Sequence, residues 1–93
     1  MTEQEIRTIL SRQREYFATG ATLSRKFRSE QLGKLKTSLQ RHEAELNDAL
    51  HRDLGKSRLE SYMCEIGLTL SELTWMKKHL RGLMREKRVP TPL

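Results

Sequence analysis

Residues 53–57, Asp-Leu-Gly-Lys-Ser, close on the Gly-Lys-Ser that ends a phosphate-binding loop. That chemistry needs G-x-x-x-x-G-K-[ST] between a strand and a helix, so that successive backbone amides cradle the phosphates. Here the first glycine would fall on position 50, which is Leu50, and the preceding residues read as helix. Gly55 is better placed to end one helix, and Ser57 with Glu60 has the S-x-x-E spacing that caps the next. The stretch is predicted to be a corner.

Other residue types that do chemistry are present but scattered. His42, His51 and His79 lack any H-E-x-x-H pairing or partner ligand at i±3 or i±4, so they read as solvated helix-surface histidines rather than metal ligands. Cys64 lies inside a predicted helix on an apolar face, without the base or helix N-terminus that lowers a thiol pKa, which favours packing over nucleophilic attack. Glu43, Glu45, Asp48 and Asp53 have basic neighbours and read as polar-face acids. Trp75 stands at helical spacing, where indoles anchor cores and interfaces. We assign no catalytic, cofactor-binding or metal-ligating residue to this chain.

The elements carrying these residues are predicted to be helical nearly throughout. Thr2 and Glu5 have capping-box spacing, and Ile6, Ile9, Leu10, Gln13, Tyr16 and Phe17 follow the 3.6-residue period. With Gly20 as a left-handed stop, the first helix is expected over about 3–18. Thr22 or Ser24 caps a second helix with the stripe Leu23, Phe27, Gln31, Leu32, Leu35, Leu39, Leu46, Ala49, Leu50 and Leu54. His42 occupies an inward slot of that stripe. Two options arise: a break near 40–42, or one continuous helix with His42 at a partly exposed edge.

The third helix is expected from Arg58 to about Arg85. At 100° per residue, Leu59, Tyr62, Met63, Ile66, Leu70, Leu73, Leu80 and Met84 share one side, interrupted by Lys77. Cys64, Leu68 and Trp75 lie nearly opposite. A helix apolar on two faces is normally buried on both, and two preceding helices suffice for only one, so a further body of protein is expected on the other. Pro90 and Pro92 then forbid helix, and 89–93 reads as an extended lead-in to something further. The fold class is all-α: three long helices, the second with its optional kink, short connections and an extended tail.

Composition agrees with that class. The 93 residues are 35% hydrophobic, 32% charged and 5% aromatic, which suits a solvated helical protein with a small core. One cysteine excludes an internal disulfide and fits a reducing compartment. The polar N-terminus is no secretory signal and no apolar run approaches a membrane span, so a soluble, cytoplasmic protein without a membrane partner is expected. The net charge of +6 permits nucleic-acid binding. An autonomous basic module acting on nucleic acid or a partner helix through Lys77–Arg88 is therefore the alternative reading. Against it, Lys77, Lys78, Arg81, Arg85 and Arg88 spread over more than a third of the helix circumference.

Three blocks carry a resemblance to a known family: residues 13–46, 49–73 and 78–93. They contain F-R-x-E-Q-L-x-x-L, D-L-G-K-S-x-x-E and E-I-G-x-x-L in that order. The chain resembles the N-terminal helical segment of aldehyde dehydrogenases, particularly the class 3 type, over about 80 residues from Gln13 onward. The resemblance implies a longer parent that oxidises aldehydes to carboxylic acids with NAD or NADP, through a downstream cysteine, glutamate and asparagine. None of those motifs occurs here, and Cys64 inherits no role from them. It further implies that 1–88 form a packing layer, catalytically silent alone, that 89–93 lead toward a nucleotide-binding domain, and that the missing catalytic portion is the partner. The uncovered third helix predicts self-association of the isolated chain.

Overall fold

The computed structural model describes residues 1–92; the last residue of the expected tail, Leu93, lies outside them. The chain runs α1 (Glu3–Ala18), α2 (Arg25–Arg41), α3 (Glu43–Leu54), α4 (Arg58–Ser61), a π-helical turn (Tyr62–Ile66) and α5 (Gly67–Leu83). No strand occurs among the described residues. Residues 86–92 continue without regular secondary structure. No described helix is long and apolar enough to cross a membrane.

The local signals act as their chemistry requires. The Thr2 amide donates to Glu5 Oε2 at 2.7 Å and the Glu5 amide donates to Thr2 Oγ1 at 3.2 Å, completing the capping box on α1. Gly20 adopts φ 76°, and its amide donates to the Phe17 carbonyl. Of the two candidate caps for α2, Ser24 serves: its hydroxyl accepts from the Phe27 amide at 3.1 Å. The second rod does break, at His42 (φ −102°, ψ 17°), whose Nδ1–H donates to the Ser38 carbonyl at 2.7 Å.

α2 and α5 form the main interface and run antiparallel, with Gly33 against Lys77 and Lys36 against Thr74. The Lys36 ammonium donates to Thr74 Oγ1 at 2.8 Å, and that hydroxyl donates to the Leu70 carbonyl at 2.9 Å. The core is small. Ile66, Leu70, Leu73 and Leu80 are its buried apolar residues among those described, with Leu32 and Leu39 of α2 and Leu46 and Leu50 of α3 half-buried around them. Leu23 and Leu35, expected in the second helix's inward stripe, are 63% and 50% exposed instead.

The third rod corrects the straight 100° count. Between α4 and α5 one extra residue is taken up by the π-turn, whose closing bond runs from the Gly67 amide to the Tyr62 carbonyl, five residues back. The residues before the insertion are rotated by about one position relative to α5. Ser61, not Tyr62 or Met63, thus falls in register with Ile66 and is fully buried. Leu59, Tyr62 and Met63 turn to solvent. α5 also ends at Leu83, two residues earlier than expected.

α1 departs further from expectation, because it buries no residue at all. Its apolar stripe, including Ile6 and Phe17, stays exposed. The molecule is accordingly open: its radius of gyration is 18.5 Å, where a compact chain of this length would have about 12 Å. Its accessible surface is 8362 Å², against about 5,600 Å² for a compact monomer of this mass.

Candidate functional site

Two places gather the residues that sequence patterns singled out. The first is the corner between α3 and α4. Gly55 takes φ 67° and its amide donates to the His51 carbonyl at 2.8 Å, so it ends α3 in the left-handed conformation. Two residues on, the Ser57 hydroxyl accepts from the Glu60 amide at 3.2 Å and starts α4. His51 Nδ1–H donates to the Lys56 carbonyl at 3.1 Å; a carbonyl only accepts, so the proton is on Nδ1. The Lys56 ammonium donates to Glu65 Oε1 at 2.7 Å across nine residues, with both side chains partly buried.

That bond, reinforced by the Glu65 charge, raises the Lys56 pKa above its ordinary 10.5, although desolvation works against it. The lysine of Asp-Leu-Gly-Lys-Ser is therefore spent on a carboxylate, and its glycine on a helix stop. The corner expected from the sequence is the observed one.

The E-I-G-x-x-L block supplies the other half of this joint. Glu65 is the acceptor, while Ile66 and Leu70 enter the core. Gly67 sits where an added Cβ would stand 2.6 Å from the Tyr62 carbonyl oxygen and 2.9 Å from its ring. F-R-x-E-Q-L-x-x-L is mechanical too: Arg28 Nε donates to the Thr22 carbonyl at 2.6 Å, holding the turn before α2. Each of the three blocks thus places residues at a turn, a cap or the core.

The second place is the outer face of α5. Leu68 is 57% exposed, Trp75 is 48% exposed, and Cys64 is exposed within the π-turn. His79 stacks on Trp75 with ring centroids 4.3 Å apart at 21°, and its Nδ1–H donates to the Trp75 carbonyl at 2.8 Å. The three histidines thus serve three separate backbone carbonyls. No group of three potential metal ligands comes together among the described residues. Asn47 and Ser61 are buried, and Asn47 Oδ1 and Ser61 Oγ have no hydrogen-bond partner. No sequence signal pointed to them; the burial of Ser61 results from the shifted register of the third rod.

No protein-family model matches the chain. Among curated proteins, it is 40% identical over 78 residues to 4,4'-diaponeurosporen-aldehyde dehydrogenase of Staphylococcus aureus. It is 45% identical over 84 residues to aldehyde dehydrogenase family 3 member B3 of Mus musculus, and 40% identical over 84 residues to family 3 member B1 of Homo sapiens. These matches cover 84% to 90% of this chain but only 17% to 18% of the relatives, so the chain spans less than a fifth of their length. On this likeness the chain is similar, over most of its length, to the N-terminal helical segment of class 3-like aldehyde dehydrogenases.

Proposed function

We propose that this chain is the packing layer of an NAD(P)-dependent aldehyde dehydrogenase, structural in role and catalytically silent alone. The reading rests on one observation above others: about 2,800 Å² of surface beyond what a compact monomer of this mass exposes. Much of it is apolar, on α1 and on the Leu68–Trp75 face, and monomers rarely leave such patches bare. In the parent these faces meet the catalytic and nucleotide-binding portion, with residues 89–92 leading toward it. The parent oxidises an aldehyde to a carboxylic acid, takes NAD or NADP as hydride acceptor, and works in the cytoplasm. The purified chain associates with itself through the same faces.

The direct test is spectrophotometric. The pure 93-residue protein, given NAD⁺ or NADP⁺ and a panel of aliphatic and aromatic aldehydes, is expected to produce no reduced cofactor above a boiled control. Reproducible turnover would overturn the assignment.

A further inference from the structure

The basic residues that look dispersed along the sequence are sorted by the fold. α2 carries Arg25, Lys26, Arg28, Lys34, Lys36 and Arg41 against one acid, Glu30. Its antiparallel pairing with α5 adds Lys77, Lys78 and Arg81 along the same seam. Two open grooves result. One, of about 610 Å³, is lined by Arg25 and Lys26 from α2 and by Lys77, Lys78 and Arg81 from α5. The other, of about 830 Å³, continues along α2 past Lys34, Lys36 and Arg41. Lys77 and Glu30 line both, so the grooves adjoin.

Lys77 belongs to this track because of Gly33. Its Nζ lies 3.1 Å from where a Cβ on that residue would stand, so the ammonium rests over bare helix backbone. The ion pairs found among the described residues, Arg7–Glu3 and Lys56–Glu65, lie elsewhere and use none of the track's cations. From Arg25 to Arg41 the seam is about 24 Å long at 1.5 Å per residue. A cationic strip of that length with Glu30 as its one lining acid matches a chain of phosphates better than a single anion.

We propose that the α2–α5 seam binds an extended phosphate chain, the backbone of a nucleic-acid strand. The seam shares Lys77, Lys78 and Arg81 with the Lys77–Arg88 stretch but joins them to the cations of α2. Arg85 and Arg88 lie past the end of α5 and are not part of it. Contact is through phosphate oxygens, to which Lys and Arg donate, so base sequence is not read. Glu30, in the middle of the track, opposes binding.

The test is a titration of the 93-residue chain with a fluorescent 12-nucleotide single strand, with duplex DNA, long-chain inorganic polyphosphate and tripolyphosphate as further arms. The strand is expected to bind with a log–log salt slope of about −3, corresponding to roughly four phosphates. Lys78→Gln with Arg81→Gln is expected to weaken it tenfold or more, and Glu30→Gln to tighten it several-fold. Arg12→Gln with Arg14→Gln, an equal charge change on α1, is expected to leave it unchanged. Binding of long-chain polyphosphate but of neither nucleic acid would overturn the nucleic-acid assignment. No binding at low salt, equal loss in the α1 control, or tripolyphosphate binding as tightly as the strand would overturn the seam.

Discussion

Tyr62 and Gly67 lock together across the widened turn: the Gly67 amide donates to the Tyr62 carbonyl, and the tyrosine ring closes over the space a Cβ would need. This contact lets an extra residue enter the third rod without a break, and it makes glycine a requirement. Conformational freedom is not the reason, because Gly67 has ordinary helical φ and ψ.

Gly67→Ala should therefore destabilise the chain by about 1–3 kcal/mol, since backbone and ring must both move. Gly82 is the internal control, because nothing lies within 4 Å of its added Cβ. Gly82→Ala should stabilise by about 0.5–1 kcal/mol through helix propensity alone. Urea unfolding followed by circular dichroism reads both, and equal effects would contradict the steric account.

The Lys56–Glu65 pair carries a pH signature. The folded lysine pKa is raised above 10.5, so the charged form is favoured by folding. Its contribution is complete below the unfolded pKa and is lost as pH climbs through the higher folded value. The melting temperature should thus fall above about pH 10.5, and Lys56→Met should remove this part of the fall while slightly lowering stability at neutral pH. An unchanged alkaline profile in the variant would refute the linkage.

Ser61 offers a gain. Its hydroxyl is fully buried and unpartnered, a condition that costs roughly 1–3 kcal/mol. Ser61→Ala removes that cost, improves helix propensity and leaves almost no void, so it should stabilise by about 1 kcal/mol. Chemical denaturation is the measurement, and a loss of stability would mean the hydroxyl has a partner in solution.

The outer face of α5 predicts behaviour in solution. The wild-type chain should elute as an associating species in size exclusion with light scattering. Leu68→Ser combined with Trp75→Ser should shift it toward the monomer with little loss of helix content, because both side chains are about half exposed. A wild-type monomer at all concentrations would remove the association.

Much of the fold is legible in the sequence. Thr2 with Glu5, Gly20, Gly55 and Ser57 are short-range devices whose partners lie within four residues, so spacing alone locates the helix ends. The break at His42 is one of two options, because a polar residue in an inward slot admits either. Two features are not legible. The π-turn depends on the Tyr62–Gly67 contact, which helical periodicity does not register, and it moves Leu59, Tyr62 and Met63 out of the stripe. The seam of basic residues depends on which helix lies beside which, so α2 and α5 must be paired before their charges can be added. α1 is the converse case, since its apolar stripe is clear but none of the described helices buries it.

The widened turn also has a consequence for comparing this chain with its kin. A homologue whose third rod is an unbroken 3.6-fold spiral would be one position shorter between the serine cap and the glycine under the tyrosine. A single-position gap between Ser61 and Gly67 would then mark the loss of the bulge, with the serine kept on the interior side because it would stand four residues before the isoleucine.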